Sequence, residues 1–86
     1  MAVITGGTSG IGLATARLLV ASGGKVVILG RNESRGRTAE SSLGKNAKFI
    51  QCDVGQREAV SSAFRAAVDW GGGIDYLVHA LSLIHI

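Results

Sequence analysis

Four short apolar runs alternate along this chain with three longer segments of helical periodicity, and this alternation constrains the fold more than any other feature. Short apolar runs bounded by glycine are typical of strands that are buried in a parallel sheet. The strands are predicted at residues 2–5, 25–29, 47–52 and 74–78, and two of the helices at 10–22 and 56–70. A more polar helix, capped by Asn32 or Ser34, is predicted to end near Leu43. Strands and helices in this order indicate an α/β fold with right-handed crossovers.

Apolar residues at helical spacing predict which side of each helix packs on the sheet. The first helix would use Ile11, Ala14, Leu18 and Ala21, and the last would use Val60, Phe64, Ala67 and Val68. The middle helix has Ala39 and Leu43 as its few apolar anchors.

Composition excludes several classes of protein. The chain has 86 residues, which is too short for a multidomain enzyme, and 47% of them are hydrophobic, which argues against disorder. A single cysteine, Cys52, allows no internal disulfide, and with two histidines it cannot build a cysteine-rich zinc site. Neither a membrane span nor a signal peptide is recognisable. We expect a cytoplasmic protein that binds no metal and no membrane.

The glycine-rich turn after the first strand, Thr5-Gly6-Gly7-Thr8-Ser9-Gly10-Ile11-Gly12, leads directly into the first helix. The free amides and the dipole at a helix N-terminus favour an anion, and glycine lets a phosphate approach the backbone closely. Two phosphate-binding motifs fail here. Leu13 stands where a P-loop needs lysine, and Thr15 stands where the third glycine of G-x-G-x-x-G would be.

The pattern that remains, Thr-Gly-x-x-x-Gly-x-Gly, resembles the cofactor loop of the short-chain dehydrogenase/reductase family. The resemblance covers residues 2 to about 80. It implies the first half of a Rossmann fold, βαβαβαβ with parallel strand order 3-2-1-4, truncated before the rest of the family's domain. It also implies that the dinucleotide is bound by Gly6, Thr8, Ser9, Gly10, Ile11 and Gly12. The alternative is a glycine-rich turn in some other α/β protein.

Arg31, directly after the second strand, bears on which dinucleotide is bound. In dinucleotide-binding folds an acid near this position holds the ribose 2′-hydroxyl, whereas an arginine accommodates the 2′-phosphate. With Arg35 and Arg37 close by, NADP is the preferred cofactor and NAD a possible one. The alternatives are an exposed arginine without a partner, or a basic nucleic-acid-binding patch, which we do not expect.

Asp53 and Val54 stand at the end of the third strand. The resemblance implies that Asp53 accepts a hydrogen bond from the adenine amino group and that Val54 packs near the base. Asp53 as the N-cap of the following helix is the alternative, and both roles could hold at once.

The family's catalytic residues, a serine and a Tyr-x-x-x-Lys pair, have no match in these 86 residues, because the one tyrosine, Tyr76, is followed four positions later by Ala80. The expectation is therefore an amino-terminal fragment that binds the dinucleotide. The complete protein would interconvert an alcohol and a carbonyl by hydride transfer, and a homo-oligomer is plausible only for that complete protein. A fragment without any catalytic role is the alternative.

The last six residues depart from the family pattern, since Leu81 and Ser82 replace an alanine and a glycine. We interpret residues 81–86 as a non-native tail, because they match the in-frame translation of a transposase-adapter end used in sequencing libraries. A genuine apolar tail is the alternative. On this interpretation residues 1–80 form the dinucleotide-binding half-domain, and the isolated chain would expose apolar sheet surface.

Overall fold

The computed structural model describes residues 1–5, 10–53 and 56–79, and within them strands and helices alternate in the predicted order. The strands are β1 (Ala2–Thr5), β2 (Val26–Gly30), β3 (Ala47–Gln51) and β4 (Tyr76–His79). The helices are α1 (Gly10–Ala21), α2 (Glu33–Leu43) and α3 (Arg57–Gly71). The predicted Gly6, Thr8, Ser9 and Val54, and the tail at 81–86, lie outside the described residues.

The four strands form one parallel sheet in the order β3-β2-β1-β4, which confirms the predicted topology. Ile4 of β1 stands opposite Ile28 of β2 on one side and Val78 of β4 on the other. Ile28 in turn pairs with Phe49 of β3. Because all strands run the same way, their carboxyl ends lie along one edge of the sheet, where ligands of such sheets bind.

Alternating side chains of the strands build two apolar layers, one on each face of the sheet. The layer under α1 and α2 contains Ile4, Val26, Ile28 and Phe49 from the strands, with Ala16, Ala39 and Leu43 from the helices. The layer under α3 contains Val3, Val27, Leu29 and Cys52, with Ala63 and Ala67. The first two helices thus share one face of the sheet, and the third covers part of the other.

Helix boundaries follow from particular capping residues. Asn32, one of the two predicted caps, is the N-cap of α2, and its side chain accepts a hydrogen bond from the Arg35 amide at 3.0 Å. At the end of α1, Gly23 adopts a positive φ of 93°. The amide of Gly24 bonds to the Leu19 carbonyl and that of Gly23 to the Val20 carbonyl, the paired bonds of a Schellman motif.

The predicted apolar side of α1 is wrong. Leu18 is 73% exposed, and Ala14 and Ala21 are exposed as well, whereas Gly12 and Ala16 are buried. Because α1 is apolar almost all the way round, helical spacing does not single out one side. Ala16 belongs to the layer under the helices, and Leu13, Leu19 and Val20 pack against that layer.

The packing side of α3 was predicted only in part. Val60, Phe64 and Ala67 belong to the second layer, but Val68 is 40% exposed, and Ala63 takes a buried place that the prediction did not give it. The contact side of α3 is thus centred on two alanines, which bring the helix close to β2 and β3.

The strand β4 forms one edge of the sheet and begins later than predicted. Asp75 lies before the strand, where its carboxylate is 2.7 Å from the amino group of Met1 and its amide donates to the Met1 carbonyl at 2.8 Å. At the other end of the strand, the hydroxyl of Thr5 donates to the Val78 carbonyl at 3.5 Å. Tyr76 and Leu77 are 68% and 57% exposed.

None of the helices within residues 10–53 and 56–79 is long and apolar enough to cross a lipid bilayer.

Candidate functional site

The carboxyl edge of the sheet gathers the positions that the sequence analysis selected. The helix α1 begins at Gly10 soon after β1 ends at Thr5, so its N-terminus lies at this edge. Its first turn contains Gly10, Ile11 and Gly12 and carries no acidic residue. The partial positive charge of the helix N-terminus is therefore not offset by a carboxylate of its own first turn, which favours an anion there.

A pocket of about 360 Å³ lies at the same edge, between the ends of β2 and β3 and the start of α3. Its lining residues come from the three segments that meet there: Arg31, Gln51, Cys52, Asp53, Gln56 and Ala59. The structure thus brings Arg31 and Asp53, predicted from two separate strand ends, to the wall of one pocket. A guanidinium and a carboxylate in one open pocket can serve an anionic group and a hydrogen-bond donor of the same ligand.

Short hydrogen bonds between neighbouring strand ends hold the wall of this pocket. The amide of Cys52 donates to the Gly30 carbonyl at 2.8 Å, which continues the pairing of β2 with β3 by one residue. The side-chain amide of Gln51 donates to the Arg31 carbonyl at 3.2 Å. Each of these two bonds joins the last residue of one strand to the first residue after the other.

Asp53 is half-buried, and its carbonyl accepts a hydrogen bond from the Gln56 amide at 2.9 Å. The N-cap of α3 is Gln56, whose side chain makes no capping hydrogen bond. The N-cap position of α3 thus belongs to Gln56 and not to Asp53. Its position on the pocket wall leaves a ligand-binding role for this residue.

The three arginines that follow β2, Arg31, Arg35 and Arg37, do not line the same pocket. Arg35 lines a separate cleft of about 260 Å³ between α1 and α2, together with Arg17. Arg37 lies 4.0 Å from the Glu40 carboxylate on the exposed side of α2. Among the residues that the structure describes, Arg31 is the basic residue on the wall of the pocket that holds Asp53.

Cys52, the single cysteine, is buried beneath the pocket. Burial, and after it the nearby Asp53 carboxylate, raise the pKa of the Cys52 thiol above its ordinary value. Both causes disfavour the thiolate, which is the reactive form.

We therefore expect Cys52 to react with iodoacetamide at least about tenfold more slowly in the folded chain than in the urea-unfolded chain at about pH 8. Mass spectrometry of the intact chain measures both rates, and the signal is unambiguous because the sequence has one cysteine. Equal rates in the two states would contradict the burial of this thiol.

Four of the lining residues were not selected from the sequence as site residues: Gln51, Cys52, Gln56 and Ala59. Gln51 is the last residue of β3 and stands opposite Gly30 in the sheet register. The signal that could have identified it is its place at a strand end beside Arg31, which requires the pairing of β2 with β3 to be known. Gln56 and Ala59 depend in the same way on where α3 begins.

Comparison with known proteins adds to this geometry. A family model described as short chain dehydrogenase matches residues 1–84. The (+)-borneol dehydrogenase 1 of Salvia officinalis is 39% identical over 77 residues, which is 90% of this chain and 30% of that enzyme. The chain spans about a third of the length of the curated relatives it matches.

Two solved structures with bound dinucleotides have the same fold over this region. The 3-ketoacyl-(acyl-carrier-protein) reductase of Brucella melitensis, complexed with NADH, gives a TM-score of 0.86 at 32% identity and covers 88% of this chain and 31% of its own. An actinorhodin polyketide ketoreductase variant with NADPH gives a TM-score of 0.86 at 37% identity over 91% of this chain and 31% of its own.

Proposed function

This chain belongs to the short-chain dehydrogenase family, and from that premise we propose that its residues bind NADP(H) in preference to NAD(H). The observation that carries the proposal is the pocket at the carboxyl edge of the sheet, which Arg31 and Asp53 line together. The pocket lies at the same edge as the N-terminus of α1, so one extended ligand with a central pyrophosphate can reach both.

Each group in the proposal has a distinct task. The amides at the start of α1 bind the pyrophosphate, which Gly10 and Gly12 allow to approach closely. Asp53 accepts a hydrogen bond from the adenine amino group, and Arg31 pairs with the 2′-phosphate in fork geometry. We also assign Gly6, Thr8, Ser9, Ile11 and Val54 to this site on the family pattern. When bound, the nicotinamide supplies the hydride acceptor or donor.

The preference for the phosphorylated dinucleotide rests on what stands at the end of β2. The strand ends at Gly30, and Arg31 follows where a carboxylate would otherwise hold the ribose 2′-hydroxyl. A carboxylate at that place would repel a 2′-phosphate, whereas a guanidinium attracts it. The bound NADH and NADPH of the two similar structures belong to those proteins and leave the preference of this chain as a proposal.

We further propose that these 86 residues are the dinucleotide-binding part of a longer oxidoreductase. The relatives are about three times as long, and the chain offers no Tyr-x-x-x-Lys pair. The complete protein would transfer hydride between the nicotinamide and an alcohol or carbonyl carbon, in keeping with the dehydrogenases and reductases that it resembles. By itself, this chain would bind the dinucleotide without turning over a substrate.

Binding of NADPH and NADH to the 86-residue chain, measured by calorimetry, tests the proposal together with Arg31→Asp. Charged hydrogen bonds contribute about 1.5–3 kcal/mol, so the substitution should weaken NADPH binding about 10- to 100-fold and change NADH binding little. Arg65→Asp, the same charge change at an exposed position of α3, is the control and should leave the ratio of the two affinities unchanged.

An equal loss of both affinities in Arg31→Asp would refute the role of the 2′-phosphate. Binding to oligonucleotides that weakens steeply with salt and does not compete with NADPH would instead favour a basic nucleic-acid-binding protein.

A further inference from the structure

One residue in the turn after β2, Arg31, belongs neither to the strand nor to the capped helix that follows it. Gly30 is paired with Gln51 in the sheet, and from Asn32 onward the backbone is fixed by α2, since the Asn32 side chain caps the helix and its carbonyl accepts from Gly36. Arg31 lies between these two anchors and is exposed.

The side chain of Gln51 anchors the backbone of Arg31 by donating a hydrogen bond to its carbonyl. The donor is Nε2, at 3.2 Å from the carbonyl oxygen, and it comes from the neighbouring strand 20 positions later in the chain. The bond restrains the peptide that follows Arg31, and with it the backbone conformation from which the arginine side chain extends. Both residues line the pocket that also holds Asp53.

We propose that Gln51 is a positioning residue for the selection of the phosphorylated dinucleotide, acting through the backbone of Arg31. The inference rests on the proposed function and adds a determinant outside the glycine-rich turn and the arginine itself. Gln51 does not need to touch the ligand. It holds the backbone of the turn so that the guanidinium is oriented before the phosphate arrives, which lowers the ordering cost of binding.

A glutamine suits this place for a chemical reason. Its amide is a neutral donor, so it can bond a carbonyl without adding charge near the phosphate. A glutamate of the same shape could only accept a hydrogen bond when ionised, and its negative charge would both lose the Arg31 carbonyl and compete for the guanidinium. Gln51→Glu keeps the volume of the side chain but removes its amide donor. It therefore separates the effect of the hydrogen bond from the effect of packing.

The test compares Gln51→Ala and Gln51→Glu with the unmodified chain in calorimetric titrations with NADPH and NADH. A neutral hydrogen bond contributes enough for Gln51→Ala to weaken NADPH binding about threefold to tenfold while NADH binding stays within about twofold. Gln51→Glu should weaken NADPH binding further, by about tenfold or more, since it adds repulsion of the phosphate. Because Gln51 is exposed, both variants should keep the melting temperature of the parent chain.

Gln56→Ala is the matched control, because it removes a second amide from the same pocket and has no hydrogen bond to Arg31 among the bonds of the described residues. Any loss that it causes should fall on both dinucleotides alike.

An unchanged ratio of NADPH to NADH affinity in Gln51→Ala, or the same change of ratio in Gln56→Ala, would overturn the inference and leave the proposed function intact. If the unmodified chain bound neither dinucleotide, the proposed function and this inference would fall together.

Discussion

Replacing Ile28 with alanine is expected to lower the free energy of unfolding of this chain by about 3–4 kcal/mol. Ile28 is fully buried in β2, which pairs with β1 on one side and β3 on the other. Its side chain packs in the layer under α1 and α2, together with Ile4 and Phe49. The substitution removes three carbons from the centre of that layer and leaves a cavity that the two flanking strands cannot close.

This loss is large compared with the whole free energy of unfolding, because domains are stable by only about 5–15 kcal/mol and small domains lie at the lower end. Urea unfolding followed by circular dichroism measures it, and thermal melting should show a decrease of more than about 12 °C. Leu18→Ala is the control: Leu18 is 73% exposed, so its truncation should change the stability by less than about 0.5 kcal/mol. A similar loss in both variants would contradict the burial pattern described above.

Gly36→Val is expected to lower the free energy of unfolding by about 3 kcal/mol, although valine has a better intrinsic helix propensity than glycine. Gly36 is buried in α2, and a Cβ added there would lie 2.2 Å from two carbons of the Phe49 ring. The ring is itself buried in the layer under the helices, where it packs with the other residues of that layer. The substitution must therefore move either the ring or the whole of α2 away from the sheet.

The control for this prediction is Gly73→Val, since nothing lies within 4 Å of a Cβ at Gly73, and the change there should be close to neutral. The double variant Gly36→Val with Phe49→Ala provides a second check. Because removal of the ring makes room for the new side chain, the combined loss should be smaller than the sum of the two single losses. Additive losses would show that the ring is not what opposes the larger residue.

The strands and the helices between them could be predicted because each signal is local and repeated, whereas the order of the strands in the sheet was implied by the family resemblance. Apolar runs that stop at glycine predicted the strands, and the helices between them indicated parallel crossovers. Arg31 and Asp53 were selected separately from the sequence, and they line one pocket because the ends of adjacent parallel strands meet at one edge of the sheet. The cap of α2 could also be predicted, because asparagine is one of the few residue types whose side chain accepts a hydrogen bond from a free amide at the start of a helix.

The packing side of α1 could not be predicted, because nearly every position in that helix is apolar or small and the periodicity has no polar side to exclude. The side that packs contains Ala16 together with Leu13, Leu19 and Val20, whereas Leu18 is exposed, and both sets are apolar. Gln51 was missed for a different reason. An exposed amide at the end of a strand has no distinctive pattern, and its role depends on the residue opposite it in the register.

The placement of β1 between β2 and β4 has a consequence for the order in which the fold assembles. Ala2 pairs with Val26 on one side and with Tyr76 on the other, so joining the second partner closes a loop about three times as long. During synthesis on the ribosome, the first three strands can associate while the fourth is still being made. Among these four strands, the one that bears Tyr76 is thus the last to join, and until then the flank of β1 has unpaired backbone groups open to other chains.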